Sequence, residues 1–336
     1  MTYAIAILNW NGRALLEQFL PSVTQFSQEA QIYLIDNAST DDSVHFTQQN
    51  YPQIAIIQHN TNGGFSKAYN DAMPYIKEDV VCLLNSDVEV TQDWLQPIQT
   101  LFEKHQNLAV AQPKLLDFKA KNKFEYAGAA GGFMDKLGYP YCRGRIFDTV
   151  EPDLQQYDDE KNIFWASGAA FFIKKTVFEE VGGLDEDYFA HQEEIDLCWR
   201  VQNYGHEVMY TSKSVVYHVG GATLSAMNPK KTFLNFRNSL FSLLKNLPYS
   251  KALPIIFIRL ILDGVAGLKF LAGGEFKHCW AIIKAHFSFY YHIRSICSKK
   301  YKFKPQYSPI FYPISIVWNY YAKGQKTFND VYKNVK

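Results

Sequence analysis

The chain has 336 residues, 47% hydrophobic and 20% charged; that is enough apolar material for one large domain with an appendage, or for two, and it excludes a disordered chain. The formal net charge of +1 hides an asymmetry: from Asn228 onward there are 18 basic and 3 acidic residues, against 16 and 30 before it. An acidic body joined to a basic tail predicts different partners for the two parts.

The five cysteines, Cys82, Cys142, Cys198, Cys279 and Cys297, are odd in number and form no close metal or redox pair. They predict a reducing compartment and no disulfide framework. The first residues are strand-like and lack a basic segment followed by a long apolar one, so no secretory signal is expected.

Taken in chain order, compact apolar runs predict strands over 3–8, 31–36, 54–58, 80–84 and 108–112, with helices over 14–26, 41–50, 66–75 and 93–104 between them. Strands alternating with helices predict a doubly wound α/β sheet, whose ligands sit beyond the carboxyl ends of the strands. The residues there are polar: Asn9-Trp10-Asn11-Gly12, Asp36 to Asp41, Asn60 to Phe65, and Asn85-Ser86-Asp87-Val88-Glu89. Asp36 can accept from a base or ribose donor. Ser39 with Asp42 also fits a helix capping box. Asn62, Gly63 and Gly64 open a helix whose free N–H groups suit a ligand or a simple cap; Lys67 and Asn70 follow on successive turns. Asp87 is well placed to hold a divalent cation bridging two phosphates, with Mg²⁺ or Mn²⁺ suited to its hard oxygen; the alternative is a polar loop capped by Thr91.

The glycine- and aromatic-rich stretch 118–160 predicts a loop or hairpin insertion over the sheet edge, where acceptor recognition often resides. A buried strand over 169–173, a short helix over 176–180, a helix from about Glu193 to Tyr204, and strands over 208–211 and 215–218 close the body. Between Trp165 and His218 lie Asp185, Glu186, Asp187, Glu193, Glu194 and Asp196, more acid than a fold requires. Clustered carboxylates followed by a histidine point to a base- or metal-assisted site. Acidic helix turns and a structural histidine are the competing readings.

Beyond Asn228 the pattern is helical. The run 252–272, interrupted by Pro254, Arg259, Asp263 and Lys269, is too polar to span a membrane comfortably and suited to lying on one. Phe276 to Cys297 carries a polar stripe at Lys277, Lys284, Ser288 and Ser295. Lys299 to Lys304 interleaves cations with aromatics. The tail is therefore expected to attach peripherally to an anionic, cytoplasmic membrane face; a helical cap used for homodimerisation is the alternative.

Eight motifs in order resemble the family 2 glycosyltransferases of GT-A fold, particularly the bacterial cell-envelope, rhamnosyltransferase-like members: Asn9 to Gly12, Ile35 to Asp41, Asn62 to Phe65 with Asn70, Leu84 to Val88, Gly168 to Phe171, Gly182 to Phe189, Glu193 to Arg200, and His218. The resemblance runs through Gly221 and implies a catalytic domain over 1–227 with a basic helical region over 228–336. It implies a nucleotide-diphosphate sugar donor, such as a UDP- or dTDP-sugar, dTDP-rhamnose included, held by Asn9, Asn11, Asp36, Asn37, Ser39, Asn62, Gly63, Gly64, Lys67, Asn70, Asn85 and Asp87. Asp87 and His218 would carry the metal; Trp165, Gly168 and Asp185 would shape the acceptor and sugar pocket. The transfer would be inverting, to a polysaccharide or lipid-linked glycan hydroxyl, and no nucleic-acid partner is expected. The chain departs from the family in two places. Asn-Ser-Asp replaces Asp-x-Asp, and Glu193-Glu194 replaces Glu-Asp, so that Glu194 takes the base position on a longer arm, with Glu193 or Asp196 able to substitute. A catalytically inactive nucleotide-sugar-binding protein is the rival reading. A dinucleotide oxidoreductase is disfavoured because no G-x-G-x-x-G follows the first strand.

Overall fold

The computed structural model describes residues 1–220, 228–300 and 311–333. Gly221 and residues 301–304 of the sequence reading lie outside the described residues. In chain order the elements begin β1 (Tyr3–Asn9), α1 (Arg13–Phe26), β2 (Gln31–Asp36), α2 (Ser43–Asn50), β3 (Ala55–Gln58), α3 (Gly64–Ala72), β4 (Val80–Asn85), β5 (Val88–Val90), α4 (Leu95–Lys104) and β6 (Leu108–Asp117). A small four-stranded antiparallel sheet follows: β7 (Gly132–Met134), β8 (Pro140–Cys142), β9 (Arg145–Ile146) and β10 (Thr149–Val150). Then come β11 (Glu160–Asn162), β12 (Ala170–Lys174), α5 (Lys175–Glu180), α6 (Glu193–Asn203) and β13 (Glu207–His218). The chain ends in α7 (Pro229–Asn246), α8 (Tyr249–Ala272), α9 (Phe276–Ser298), α10 (Ile316–Tyr321) and α11 (Phe328–Tyr332).

The main sheet runs β11-β13-β6-β12-β4-β1-β2-β3, with β5 paired to β13. β4, β1, β2 and β3 are parallel neighbours, and β12 enters antiparallel between β4 and β6, so the sheet is mixed. Strand β1 shows why it is buried on both faces. Tyr3, Ile5 and Ile7 pack under α1 and α4, while Ala4 and Ala6 face α3 and the Tyr69 ring. Helix α1 meets that core with Leu16, Phe19, Leu20 and Val23, the spacing of one helical face.

Three sequence expectations change. The strands expected at 208–211 and 215–218 are one strand, β13, with an irregularity between Thr211 and Val215. The stretch after Asp87 is a short strand, and Thr91 donates to the Val215 carbonyl at 2.8 Å instead of capping a helix. Ser39 and Asp42 form no capping box: α2 starts at Ser43 with Asp42 in the N-cap place and no side-chain cap, and the Ser39 hydroxyl accepts from Asn9 and the Asn11 amide instead.

Helix α7 is not an appendage. Leu240, Phe241, Leu243 and Leu244 belong to the same core as Tyr188, Leu197 and Trp199. No helix among the described residues is long and apolar enough to cross a membrane. All five cysteines are free thiols.

Candidate active site

The parallel register sets the polar strand ends side by side: Asn9 lies opposite Asp36, and Leu8 opposite Asn85. Asn9 is fully buried and its amide is within donating distance of Asp36 (3.0 Å), Ser39 (3.1 Å) and Ser43 (2.9 Å). Asp36 also accepts from the Ser39 amide at 3.1 Å. Asn11, in the left-handed region at φ 49°, accepts from the Thr40 amide at 2.7 Å. Asn37 donates to the Asn62 side chain at 2.9 Å, and Asn62 accepts from the Gly64 amide at 3.0 Å. The loops after β1, β2 and β3 are thus one hydrogen-bonded rim beyond the sheet.

Gly64 has φ 82°, and a Cβ there would lie 3.2 Å from the Phe189 carbonyl, so this glycine lets the start of α3 meet the loop before α6. Lys67 lies against Gly63, where a Cβ would come within 2.8 Å of its side chain, and its ammonium pairs with Asp71 one turn on at 2.9 Å. Asn70 is also committed to the fold: it accepts from the Leu184 amide at 2.9 Å and donates to the Leu184 carbonyl at 2.8 Å.

Asp87 and His218 meet where β5 pairs with β13, Oδ1 to Nε2 at 3.1 Å, both buried. On the other side of the ring, Nδ1 lies 3.2 Å from Glu125 Oε1, off the line of a hydrogen bond. Burial alone would lower the imidazole pKa, but Asp87 and Glu125 outweigh it and raise it to about 10. Glu125 went unseen in the sequence. It sits in the glycine-rich insertion with no motif around it, and only the topology brings it to His218.

A carboxylate oxygen suits Mg²⁺ or Mn²⁺, and the imidazole nitrogen does so once the cation displaces the proton that it shares with Asp87. Among the described residues no group of three or more metal-ligating side chains forms a closed cage. A two-residue donor set fits an ion that keeps waters and takes substrate phosphates as its remaining ligands.

The acidic run divides into two groups. Asp196 is fully buried and saturated: Arg200 Nε at 2.9 Å, Lys245 Nζ at 2.8 Å, Asn246 at 2.8 Å and the Tyr188 hydroxyl at 3.2 Å. Burial would raise its pKa, but Lys245 and Arg200 hold it below the usual range. Asp185 pairs with Lys245 at 2.6 Å and Lys299 at 2.8 Å and accepts from the Asp187 amide, so its carboxyl is likewise pulled down despite burial. Neither is free to take a proton or line a sugar pocket. Trp165 is also withdrawn: its indole donates to the Phe133 carbonyl at 3.1 Å, and its ring fills the space beside Gly132 where a Cβ would lie 2.1 Å away.

Among the described residues, Glu193 and Glu194 pair with no cation. Glu193 is buried with Oε2 unpartnered, and burial together with neighbouring Glu194 drives its pKa well up. Glu194 is partly exposed, beside Gly168 and the Phe65 ring, and burial pushes it up to about 7 against the backbone amides of the first turn of α6. Gly168 immediately precedes the residue whose carbonyl accepts from the Asn85 amide at 2.9 Å, so Glu194 stands at the Asn85 end of the sheet. Phe189, His191 and Gln192, just before α6, have φ of 63°, 68° and 71°. Such backbone persists only where surroundings hold it. Helix α7 does so: Asn238 donates to the Tyr188, Ala190 and His191 carbonyls at 3.1, 3.0 and 2.7 Å, and Arg237 to the Asp187 carbonyl at 2.9 Å. No local pattern in the sequence marks these two residues.

Residues 4–182 match the model of glycosyl transferase family 2. The N-acetylglucosaminyl-diphospho-decaprenol L-rhamnosyltransferase of Mycobacterium tuberculosis is 24% identical over 222 residues, 60% of this chain and 71% of that protein. Among solved structures, S. aureus TarS 1–349 in complex with UDP-GlcNAc superposes with a TM-score of 0.58 at 13% identity, over 89% of this chain and 84% of that one. The mannosyltransferase PcManGT of Pyrobaculum calidifontis, in complex with GDP-Man and Mn²⁺, gives 0.53 at 12% identity over 86% and 87%. These likenesses bear on the fold, which is the GT-A fold anticipated from the motifs. With its family model spanning more than half the chain, the protein belongs to glycosyl transferase family 2 and is a glycosyltransferase, of the rhamnosyltransferase-like kind.

Proposed function

We propose that the protein is an inverting, metal-dependent transferase that moves a sugar from a nucleotide-diphosphate donor to a hydroxyl of a cell-envelope polysaccharide or lipid-linked glycan, with Glu194 as general base. A UDP- or dTDP-sugar is the donor class, dTDP-rhamnose foremost given the rhamnosyltransferase relative. The observation that carries the reading is the contrast at one end of the sheet between an aspartate paired to a buried histidine and a glutamate that no cation among the described residues meets.

Glu194 takes the proton of the acceptor hydroxyl as its oxygen attacks the anomeric carbon from the face opposite the diphosphate. A new C–O bond forms, the anomeric bond to the diphosphate oxygen breaks with inversion, and the proton passes to solvent from Glu194. A base with a pKa near the working pH is the efficient choice. A divalent cation held by Asp87 and His218 would supply charge neutralisation for the departing diphosphate. Asn9 and Asn11 order the rim on which Asp36 and Asn37 would receive the base and ribose; Asn62, Gly63 and Gly64 continue it. The reaction is set at the cytoplasmic side of a membrane, with the protein peripherally attached.

Release of nucleoside diphosphate, measured with Mn²⁺ across a panel of donors, tests this reading. Turnover by the native chain should fall ~10²–10⁴-fold in Glu194→Gln, and Asp87→Ala should remove the response to metal. No turnover with any donor, or turnover indifferent to both changes, supports an inactive sugar-nucleotide-binding protein instead.

A further inference from the structure

Two C-terminal helices carry an apolar face that the described residues leave uncovered. On α8, Phe257, Ile261, Val265 and Leu268 are between 55% and 66% exposed, while Ile256, Arg259, Asp263 and Gly267 turn inward. On α9, Phe276, Trp280 and Phe287 are between 57% and 70% exposed, opposite the buried His278, Ala281 and Ala285. Spacings of three and four residues gather each set on one side of its helix. The two helices are antiparallel neighbours: Phe270 stacks on His278 with centroids 5.1 Å apart, and Asp263 meets His286 at 3.2 Å. Patches of this kind mark interaction sites.

Charge decides between occupants. The exposed charged residues of α8 and α9 are Lys251, Lys269, Lys277, Lys284 and Arg294. Of the two acids there, Asp263 is buried against Arg259 and His286, and Glu275 turns to His278. A second copy laid on this face by two-fold symmetry would bring five exposed cations toward five, with only the half-exposed Glu275 to answer them. We propose that this face seats the protein on an anionic bilayer, α8 and α9 lying in the headgroup plane with their apolar side chains inserted and the lysines meeting lipid phosphates. The cations of the 299–304 segment, expected from sequence to make this contact, are partly committed elsewhere: Lys299 pairs with Asp185 and Asp187, and Lys300 donates to the Leu244 carbonyl.

The face also has a direction. Thr232 meets His278 at 2.8 Å, so the first turn of α9 adjoins the first turn of α7. There Lys230 lies over the Phe189 ring at 4.6 Å and Lys231 approaches Tyr126 at 5.7 Å, beside the loop that precedes Glu193 and Glu194. The end of the face that bears Phe276 therefore lies on the side of the body that carries the loop before Glu193 and Glu194, so that an acceptor anchored in lipid would approach Glu194 from the membrane surface. That last consequence rests on the transferase reading; seating on the bilayer does not.

Co-sedimentation of the full chain with phosphatidylcholine vesicles, with and without phosphatidylglycerol, tests the assignment. The chain should partition onto the anionic vesicles. Phe257→Glu with Phe287→Glu should weaken partitioning at least ~10-fold, and Lys277→Glu with Lys284→Glu, or added salt, should erase the preference for phosphatidylglycerol. The changed side chains are exposed, and unaltered circular dichroism shows that each variant is folded. Failure of the native chain to bind either vesicle, or binding indifferent to both variants, overturns the proposal. A native dimer in sedimentation that the Phe257/Phe287 variant splits, with vesicle binding unchanged, assigns the face to a second copy and overturns it too. A chain that binds vesicles but releases no nucleotide leaves this proposal standing and counts against the transferase reading alone.

Discussion

Two sets of acids share the first turn of α6 and meet opposite fates. Asp196 is surrounded by Arg200, Lys245 and Asn246. Glu193 and Glu194, three and two residues earlier, have burial without a counter-ion among the described residues. The first arrangement holds a carboxylate ionised and silent; the second pushes both carboxyls up, Glu194 to about 7. Density of acid in a sequence therefore says little about chemistry. Whether a cation arrives from elsewhere in the chain says most of it.

The sharpest way to break the contrast is to remove the cation. Lys245→Met leaves Asp185 and Asp196 buried with much of their compensation gone and should cost about 3–5 kcal/mol in denaturant unfolding. A loss below about 1 kcal/mol would mean the cluster is not what holds α7 to the body. Because the Asp196 pKa is depressed, its stabilisation is present above the unfolded value and lost as pH falls.

The unpaired set has the opposite sign. Glu194, raised to about 7, must be ionised to act, so turnover should climb roughly tenfold per pH unit below that value and level above it. That limb should vanish in the residual activity of Glu194→Gln and persist in Glu193→Gln; the reverse pattern would make Glu193 the base.

The smallest effect sharpens the comparison further. A carboxyl whose folded pKa is raised destabilises as pH rises past its unfolded value, so Glu193→Gln should stabilise the protein by on the order of 1 kcal/mol at neutral pH. The gain should disappear below the ordinary glutamate range. Thermal melts across pH would show it, and a gain constant with pH would refute the assignment.

Much of the fold was legible because it rests on short-range patterns: apolar runs for β1 to β4, helical spacing for α1, and turn residues between them. The strand-end loops were legible for the same reason, since a parallel sheet obliges its polar termini to converge. What escaped depends on distant partners. Glu125 reaches His218, Lys245 reaches Asp196, and Asn238 reaches the carbonyls before α6, each across a stretch with no local signature. Trp165, Asn70 and Asp185 are alike in this: their residue types suit a binding site, and only the packing shows the contacts each also makes to Phe133, Leu184 and Lys245.

The Lys245 bridge also bears on how chains of this kind can be recombined. A chimera that joins the catalytic lobe of this protein to the C-terminal helices of another would strand Asp185 and Asp196 unless the incoming helix carried a cation at the same level. It would also free the strained loop before α6 unless an amide stood where Asn238 does. The stretch from Asp185 to α6 and the tail are thus exchangeable only as a matched pair, and a graft would show it first in solubility, before any assay of sugar transfer.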